Sequence, residues 1–187
     1  MISTSDFEKG VAIIYKDEPH QIVTADFVFP GKGQAFVKTR LKNIKTGNVL
    51  ENVFKSGETV EEADVSESKV VYLYNDDQGY HFMDNQNYNQ QSIASDIVGK
   101  RADFLKENEE VKGLFLDDGL FDIELPFKMV YNVTEAPPGI KGDTAGTANK
   151  LVTVETGAKI SVPLFIKEGD QVRVNTETGE YVERVNS

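Results

Sequence analysis

The sequence predicts an all-β protein built as three small barrels. Three observations point there. Apolar residues recur at every second position in short runs, which is strand spacing. Clusters of Gly, Pro, Asn and Asp punctuate those runs as turns. Only one stretch, residues 90–105, carries helical spacing. The 187 residues divide as 1–64, 65–128 and 129–187. A unit of this size buries little surface alone, so neighbouring units are expected to pack, the first on the second above all.

In the first unit, residues 11–15 form a strand that ends in the turn Lys16-Asp17-Glu18-Pro19. A hairpin follows. Val23, Ala25, Phe27 and Phe29 alternate on its way out, and Ala35, Val37, Thr39 and Leu41 alternate on its way back. Between them, Pro30 sets its own φ and Gly31 accepts a positive φ, so Phe29 to Lys32 fits a type II turn. Lys32 therefore stands at a hairpin tip between Gly31 and Gly33. Thr46-Gly47-Asn48 turns into a strand over 49–54, and an acidic loop closes a barrel of about five strands.

The second unit opens with a strand over 69–74, the turn Asn75-Asp76-Asp77-Gln78-Gly79, and its partner over 80–83. A helix is expected over 90–105, with Ser92 as its cap and Ile93, Ile97, Val98 and Phe104 on one face. Strands over 111–116 and 121–125 complete five, which suits an OB-like barrel. The third unit has strands over 129–133, 151–155, 160–165, 172–175 and 181–185. Its first two are joined by a loop of small residues, 139–147, and together they make a second small barrel.

The chain is acidic, with net charge −11. Residues 1–64 carry eight basic and ten acidic side chains, 65–128 six and thirteen, 129–187 six and eight. Such a chain does not coat nucleic acid indiscriminately. Yet Lys32, Lys38, Arg40, Lys42, Lys45 and Lys55 cluster between Val28 and Gly57 against the single acid Glu51. A local basic arm of this kind suits RNA. The sequence has no cysteine, which removes thiol catalysis and thiolate metal sites and suits a reducing cytoplasm. No apolar run reaches the length of a membrane span, and no signal peptide is expected.

Catalytic patterns are missing. His20 and His81 fall in different units without metal-ligand neighbours, and both read as structural. Asp76-Asp77 and Asp117-Asp118 sit in turns, where Asp is favoured for conformation. No nucleophile elbow or phosphate-binding Walker loop is present. The reading is therefore of a non-enzyme with no catalytic residue, no metal and no cofactor. The loop Gly142 to Thr147 has two readings: exposed amides that approach a phosphodiester or sugar, or a flexible connection. Tyr72, Tyr74, Tyr80 and Phe82 likewise read either as a base-stacking platform or as cross-strand and core packing.

Five pieces in order carry a resemblance: Pro30-Gly31-Lys32-Gly33-Gln34-Ala35-Phe36; Leu73-Tyr74-Asn75-Asp76 with His81-Phe82-Met83; Gly139-Ile140-Lys141-Gly142-Asp143-Thr144-Ala145-Gly146-Thr147; Glu155-Thr156-Gly157-Ala158 through Val162-Pro163-Leu164-Phe165-Ile166; and Thr178-Gly179-Glu180-Tyr181-Val182. Over nearly its whole length the chain resembles bacterial elongation factor P. The resemblance implies an N-terminal SH3-like (KOW-like) barrel followed by two OB-folds in an L-shaped arrangement similar to a tRNA. It implies a monomeric cytoplasmic factor that binds the ribosome between the peptidyl and exit sites and stimulates peptide-bond formation at consecutive prolines. Lys32 would reach the CCA end of peptidyl-tRNA, and a lysine-modifying enzyme would extend it, a β-lysyl group being suspected. Pro30, Gly31, Gly33, Lys38, Arg40 and Lys42 would face tRNA or ribosomal RNA. Gly142, Asp143, Thr144, Gly146 and Thr147 would lie near the mRNA on the exit-site side. Phe29 departs from the resemblance, since relatives often have a lysine or polar residue there. A factor that only orients peptidyl-tRNA needs no acid, base or nucleophile of its own. The alternative is a stand-alone OB-type protein that binds single-stranded nucleic acid or oligosaccharide.

Overall fold

The computed structural model describes residues 1–138 and 148–185. The N-terminal part contains β1 (Ile2–Ser3), β2 (Ala12–Tyr15), β3 (Glu18–Val28), β4 (Phe36–Asn43), β5 (Val49–Lys55) and β6 (Thr59–Val60). β2 to β5 form an antiparallel meander in chain order, and β1 pairs with β6. The meander forms because β4 alternates strictly. Val37, Thr39 and Leu41 are buried while Lys38 and Arg40 point outward. Phe7, Ile13, Ile22 and Phe54 fill the space beneath, and Phe7 meets Phe54 edge-on with centroids 5.3 Å apart.

One compact unit comprises Met1–Glu67 with Leu114–Phe121. Leu116 and Phe121 pack on Ala12, Ile44 and Ala63 within it. Two details of the hairpin differ from the period-2 reading. Between Ile22 and Thr24 the β3–β4 register shifts, so the inward positions run Ile22 and then Ala25 rather than Val23 and Ala25. The tip is not the expected type II turn either. β3 and β4 end at the pair Val28–Phe36, which leaves a seven-residue loop, 29–35. In a loop that long the reversal spreads over bends at 31–33, and the positive φ falls on Gly33 (108°), not on Gly31.

The second sheet contains β7 (Val65–Asp76), β8 (Gly79–Asp84), β9 (Gln90–Ile93), β10 (Glu110–Leu116) and β11 (Gly119–Glu124), in the order β11-β10-β7-β8-β9. The β7–β8 turn depends on Gly79, whose φ is +126° and where a Cβ would lie 2.2 Å from the Ile93 carbonyl oxygen. The helix expected over 90–105 is mostly absent. Residues Gln90–Ile93 form β9, and Ser92 pairs with His81 instead of capping a helix. The α-helix is the single turn α1 (Ser95–Val98), followed by a 3-10 segment at Gly99–Phe104. Gly99, with φ 56° and ψ −137°, stops the α-helix. Ile93 is buried from strand β9 and Phe104 in the core of the third sheet, so the two do not share one helical face. Arg101 holds the segment in place. Its guanidinium donates to the carbonyls of Val98, Ile97 and Ile123 and pairs with Asp122 at 2.7 Å.

The third sheet contains β12 (Lys128–Glu135), β13 (Asn149–Val154), β14 (Lys159–Pro163), β15 (Gln171–Asn175) and β16 (Tyr181–Val185), in the order β14-β13-β12-β15-β16. A second compact unit comprises Ser68–Gly113 with Asp122–Ser187. Its largest core gathers Met129, Tyr131, Val133, Val152, Val154, Ile160, Val162, Ile166, Val172 and Val174. Phe104 belongs to that core, although it comes from the segment between β9 and β10. The Tyr131 hydroxyl donates to the Phe104 carbonyl at 2.8 Å, and Thr156 Oγ1 donates to the Asp103 carbonyl at 2.6 Å.

Candidate nucleic-acid interface on the hairpin

The hairpin presents its cations by register. From the pair His20–Asn43 to the pair Val28–Phe36 the strands run for about 25 Å at ~3.3 Å per residue. Asn43, buried at the base, accepts from the Lys45 and Thr46 amides at 2.9 Å each and donates to the Glu18 carboxylate. His20 is buried there too, with Nδ1 2.9 Å from the Glu18 carbonyl and its ring edge-on to Tyr15. That is a structural role. Thr39 Oγ1 and the Tyr15 hydroxyl both donate to Asn52, at 3.0 Å each, and tie β4 and β2 to β5. The tip thus projects from a braced base.

The outward face of β4 carries Phe36, Lys38, Arg40 and Lys42. Across the sheet, Lys38 lies between Asp26 and Val53, Arg40 between Thr24 and Glu51, and Lys42 between Gln21 and Val49. Alternate residues on one face repeat every ~6.7 Å, so the three cations form a row along the strand. A shallow groove of about 370 Å³ runs beside Lys38 and Arg40, with Asp26 and Glu51 on its flanks. Lys38 Nζ also lies 6.0 Å from the Phe36 ring centroid.

Ion pairing separates these cations from others in the chain. Lys69, Arg101, Lys106, Lys112 and Arg173 each meet a carboxylate. Among the described residues, Lys32, Lys38 and Arg40 meet none within 4 Å. Lys32 is exposed, and neither Gly31 nor Gly33 has an atom within 4 Å of where a Cβ would stand. Pro30 is half-buried. Sequence reasoning passed over the apolar company of this tip. Phe29 is 77% exposed, and Phe27 and Val53 are exposed as well. The signal lay in a strand pair longer than its barrel, so that the last apolar positions overrun the core.

The other expected sites fare unevenly. Gly142, Asp143, Thr144, Gly146 and Thr147 lie outside the described residues. Of the four aromatics, Tyr72 and Phe82 are buried, with centroids 5.5 Å apart, and Tyr80 is half-buried. Only Tyr74 shows an open ring, stacked on His81 at 4.5 Å and 20°. A platform of four rings therefore does not exist, because the sheet uses two of them as core. Asp76 accepts from the Gln78 amide and lies 2.8 Å from His81 Nε2. The hydrogen bond with His81, then the Gln78 amide, holds its carboxyl below the ordinary value. Among the described residues no three of His, Asp and Glu are grouped to hold a metal ion, and no helix is long and apolar enough to cross a membrane.

Comparison with known proteins closes the question of kinship. Three family models match in succession: the elongation factor P KOW-like domain over residues 3–60, the elongation factor P OB domain over 65–123, and the elongation factor P C-terminal domain over 129–184. Elongation factor P of Salinibacter ruber is 48% identical over 189 residues, covering 100% of this chain and 98% of that protein. Elongation factor P of Desulfotalea psychrophila is 43% identical over 185 residues, 99% of each. The chain belongs to the elongation factor P family. The family's KOW-like domain takes in β2 to β5 and with them the Lys32 hairpin, and its OB domain takes in β7 to β10 and nearly all of β11. The all-β fold class is thus that of a KOW-like domain followed by OB-type architecture. A solved structure, the eukaryotic translation initiation factor 5A from Methanococcus jannaschii, is similar over 66% of this chain and 91% of its own, at 20% identity and a TM-score of 0.49.

Proposed function

We propose that this elongation factor binds the ribosome between the peptidyl and exit sites and speeds peptide-bond formation at consecutive prolines. One observation carries the reading. Lys32, Lys38 and Arg40 are the outward cations of a long braced hairpin, and no carboxylate neutralises them, in a chain of net charge −11. Cations left open in this way suit phosphate, and the acidic remainder limits docking to this face. Proline is a slow, rigid secondary amine. The factor acts by holding peptidyl-tRNA in reacting geometry, which lowers an entropic barrier without acid–base chemistry. Lys32 reaches the CCA end, and Lys38, Arg40 and Lys42 lie along the acceptor-arm backbone. Membership in the elongation factor P family supports the reading.

We further infer that the chain acts as a monomer of three domains, 1–64, 65–128 and 129–187, and that an enzyme extends Lys32, with β-lysyl as the group. The open space around Gly31 and Gly33 supports access to the lysine. The test is peptide-bond formation on purified ribosomes stalled within a Pro-Pro-Pro message. Wild type from its native source rescues, and Lys32→Ala does not. Because the tip is solvated, the variant's stability stays within about 0.5 kcal/mol of wild type. Equal rescue by both proteins would remove Lys32 from the mechanism.

A further inference from the structure

The fold leaves the Phe29 ring in water. It is 77% exposed and follows the last strand pair, Val28–Phe36, so no partner strand lies across from it. Phe27 differs. It pairs with the buried Val37 and so shares the inward face of the hairpin, and its partial exposure marks the edge of the core. Phe36 differs too, since Lys38 Nζ lies 6.0 Å from its ring centroid. Among the described residues no ring or cation stands against Phe29.

The surroundings of this ring are cationic and open. On the side of the barrel, Lys38 pairs in register with Asp26, three residues before Phe29, so the ring stands at most about 11 Å further toward the tip. On the side of the tip, Lys32 follows three residues later. Neither ammonium meets a carboxylate within 4 Å. Gly31, Gly33 and Gln34 are exposed, and nothing crowds the two glycines. A partner at the tip therefore meets a phenyl ring with a cation on either side. An apolar protein surface would bury those cations without a counter-charge, which is costly. A phosphate backbone alone offers a ring nothing. A nucleotide supplies both, phosphate for the cations and a flat base for the ring. In a duplex the base faces are covered by their neighbours, so only an unpaired nucleotide has a face to give.

We propose that the Phe29 ring stacks on the base of an unpaired nucleotide at the end of the RNA whose backbone Lys38 and Arg40 line. The contact rests on the RNA-binding role proposed for the hairpin and adds the kind of RNA it takes, a strand that has left its duplex. Stacking accepts any base, because every base has a π-face, so Phe29 positions the strand without reading its sequence.

The test uses the full chain carrying Phe29→Trp. The sequence has no tryptophan, so the indole fluorescence reports position 29 alone. The probes, at low ionic strength, are a blunt RNA duplex and the same duplex with a short unpaired 3′ extension. The expected result is saturable quenching by the extended duplex, with an affinity about fivefold or more above that for the blunt one, the effect of one added stack. A second arm compares wild type from its native source, Phe29→Leu and Phe29→Trp on ribosomes stalled within a Pro-Pro-Pro message. Leucine keeps the apolar character and loses the flat face. Phe29→Leu needs about fivefold or more factor for half-maximal rescue, with the salt dependence of that requirement unchanged because no phosphate contact is lost. Phe29→Trp restores a ring and with it the rescue. Equal quenching by the two duplexes overturns the proposal, even where leucine impairs rescue, since a protein surface then covers the ring. Equal rescue by Phe29→Leu and wild type overturns it as well. If wild type rescues no ribosomes, the translation reading falls by itself, and the preference between the two duplexes still decides whether the ring takes an unpaired base.

Discussion

Replacing Phe104 with alanine should weaken the second compact unit far more than its position in a connecting segment suggests. The ring is 9% exposed and lies among Met129, Tyr131 and the β13–β16 core. Its centroid is 6.1 Å from that of Tyr131, and its edge stands 3.4 Å from where a Cβ on Gly179 would be. Truncating a buried Phe costs ~3–5 kcal/mol, and a site at the rim of its core falls at the low end, about 3 kcal/mol. Phe104→Leu keeps most of the volume and should cost about 1 kcal/mol. Urea unfolding followed by tyrosine fluorescence suits a chain with seven tyrosines and no tryptophan. With a slope of about 2 kcal/mol per molar urea, the midpoint of this unit falls by about 1.5 M in the alanine variant and about 0.5 M in the leucine variant. A chain with two compact units need not unfold in one step, so the transition of this unit is read separately. A midpoint unchanged by Phe104→Ala would refute the assignment of Phe104 to the core of the β12–β16 sheet.

Other outcomes follow from the same contacts. Tyr131→Phe removes the hydroxyl that donates to the Phe104 carbonyl and should cost about 1–2 kcal/mol at neutral pH. The raised Tyr131 value adds stability that is present below the ordinary tyrosine value of about 10 and lost as pH climbs above it. The alkaline branch of the stability curve should therefore be flatter in Tyr131→Phe, and a branch as steep as wild type counts against that linkage. Gly79→Ala places a Cβ against the Ile93 carbonyl at a positive φ. It should cost ~3 kcal/mol or more in thermal unfolding, since strain and clash add. For ribosome binding, Lys38→Ala and Arg40→Ala should each lower the slope of log affinity against log salt by about one. A slope unchanged in both would move the phosphate contacts elsewhere.

The alternation of Val37, Thr39 and Leu41 with Lys38, Arg40 and Lys42 was legible, because a strand half-buried on one face has a strict period of two. So were the turns at 75–79 and 117–119, where Gly and Asp are chosen for backbone reasons. The shift beyond Ile22 was not, because a bulge is defined against the partner strand and leaves no mark in one strand's own pattern. The helix at 90–105 misled for a related reason. Ile93, Ile97, Val98 and Phe104 have roughly helical spacing, yet Ile93 is buried from a strand and Phe104 enters a core whose other residues lie at 129 and beyond. Contacts at that sequence distance are set by topology, not by local period. At the hairpin, the positions of the cations could be read from the sequence, but their freedom from carboxylates could not. For Lys38 and Arg40 the register places Asp26 and Glu51 directly opposite, and the absence of an ion pair depends on where the side chains reach, which no sequence pattern records.

On the proposed reading, this freedom decides how an acidic chain approaches RNA. Asp26 and Glu51 lie directly across from Lys38 and Arg40, close enough for attraction but without an ion pair. In the free protein they temper the row of cations, so phosphate of any kind gains little from casual contact. In the proposed complex, a phosphate backbone aligned along β4 gives Lys38 and Arg40 charge-assisted partners, so affinity there depends on alignment more than on charge alone. The exposed Phe29 and Val53 act in the same direction, since an apolar contact rewards a fitted surface and offers nothing to a distant one. In the proposed complex, Lys32, held at the end of this face with nothing crowding its neighbours, is delivered to one place rather than to any phosphate it meets.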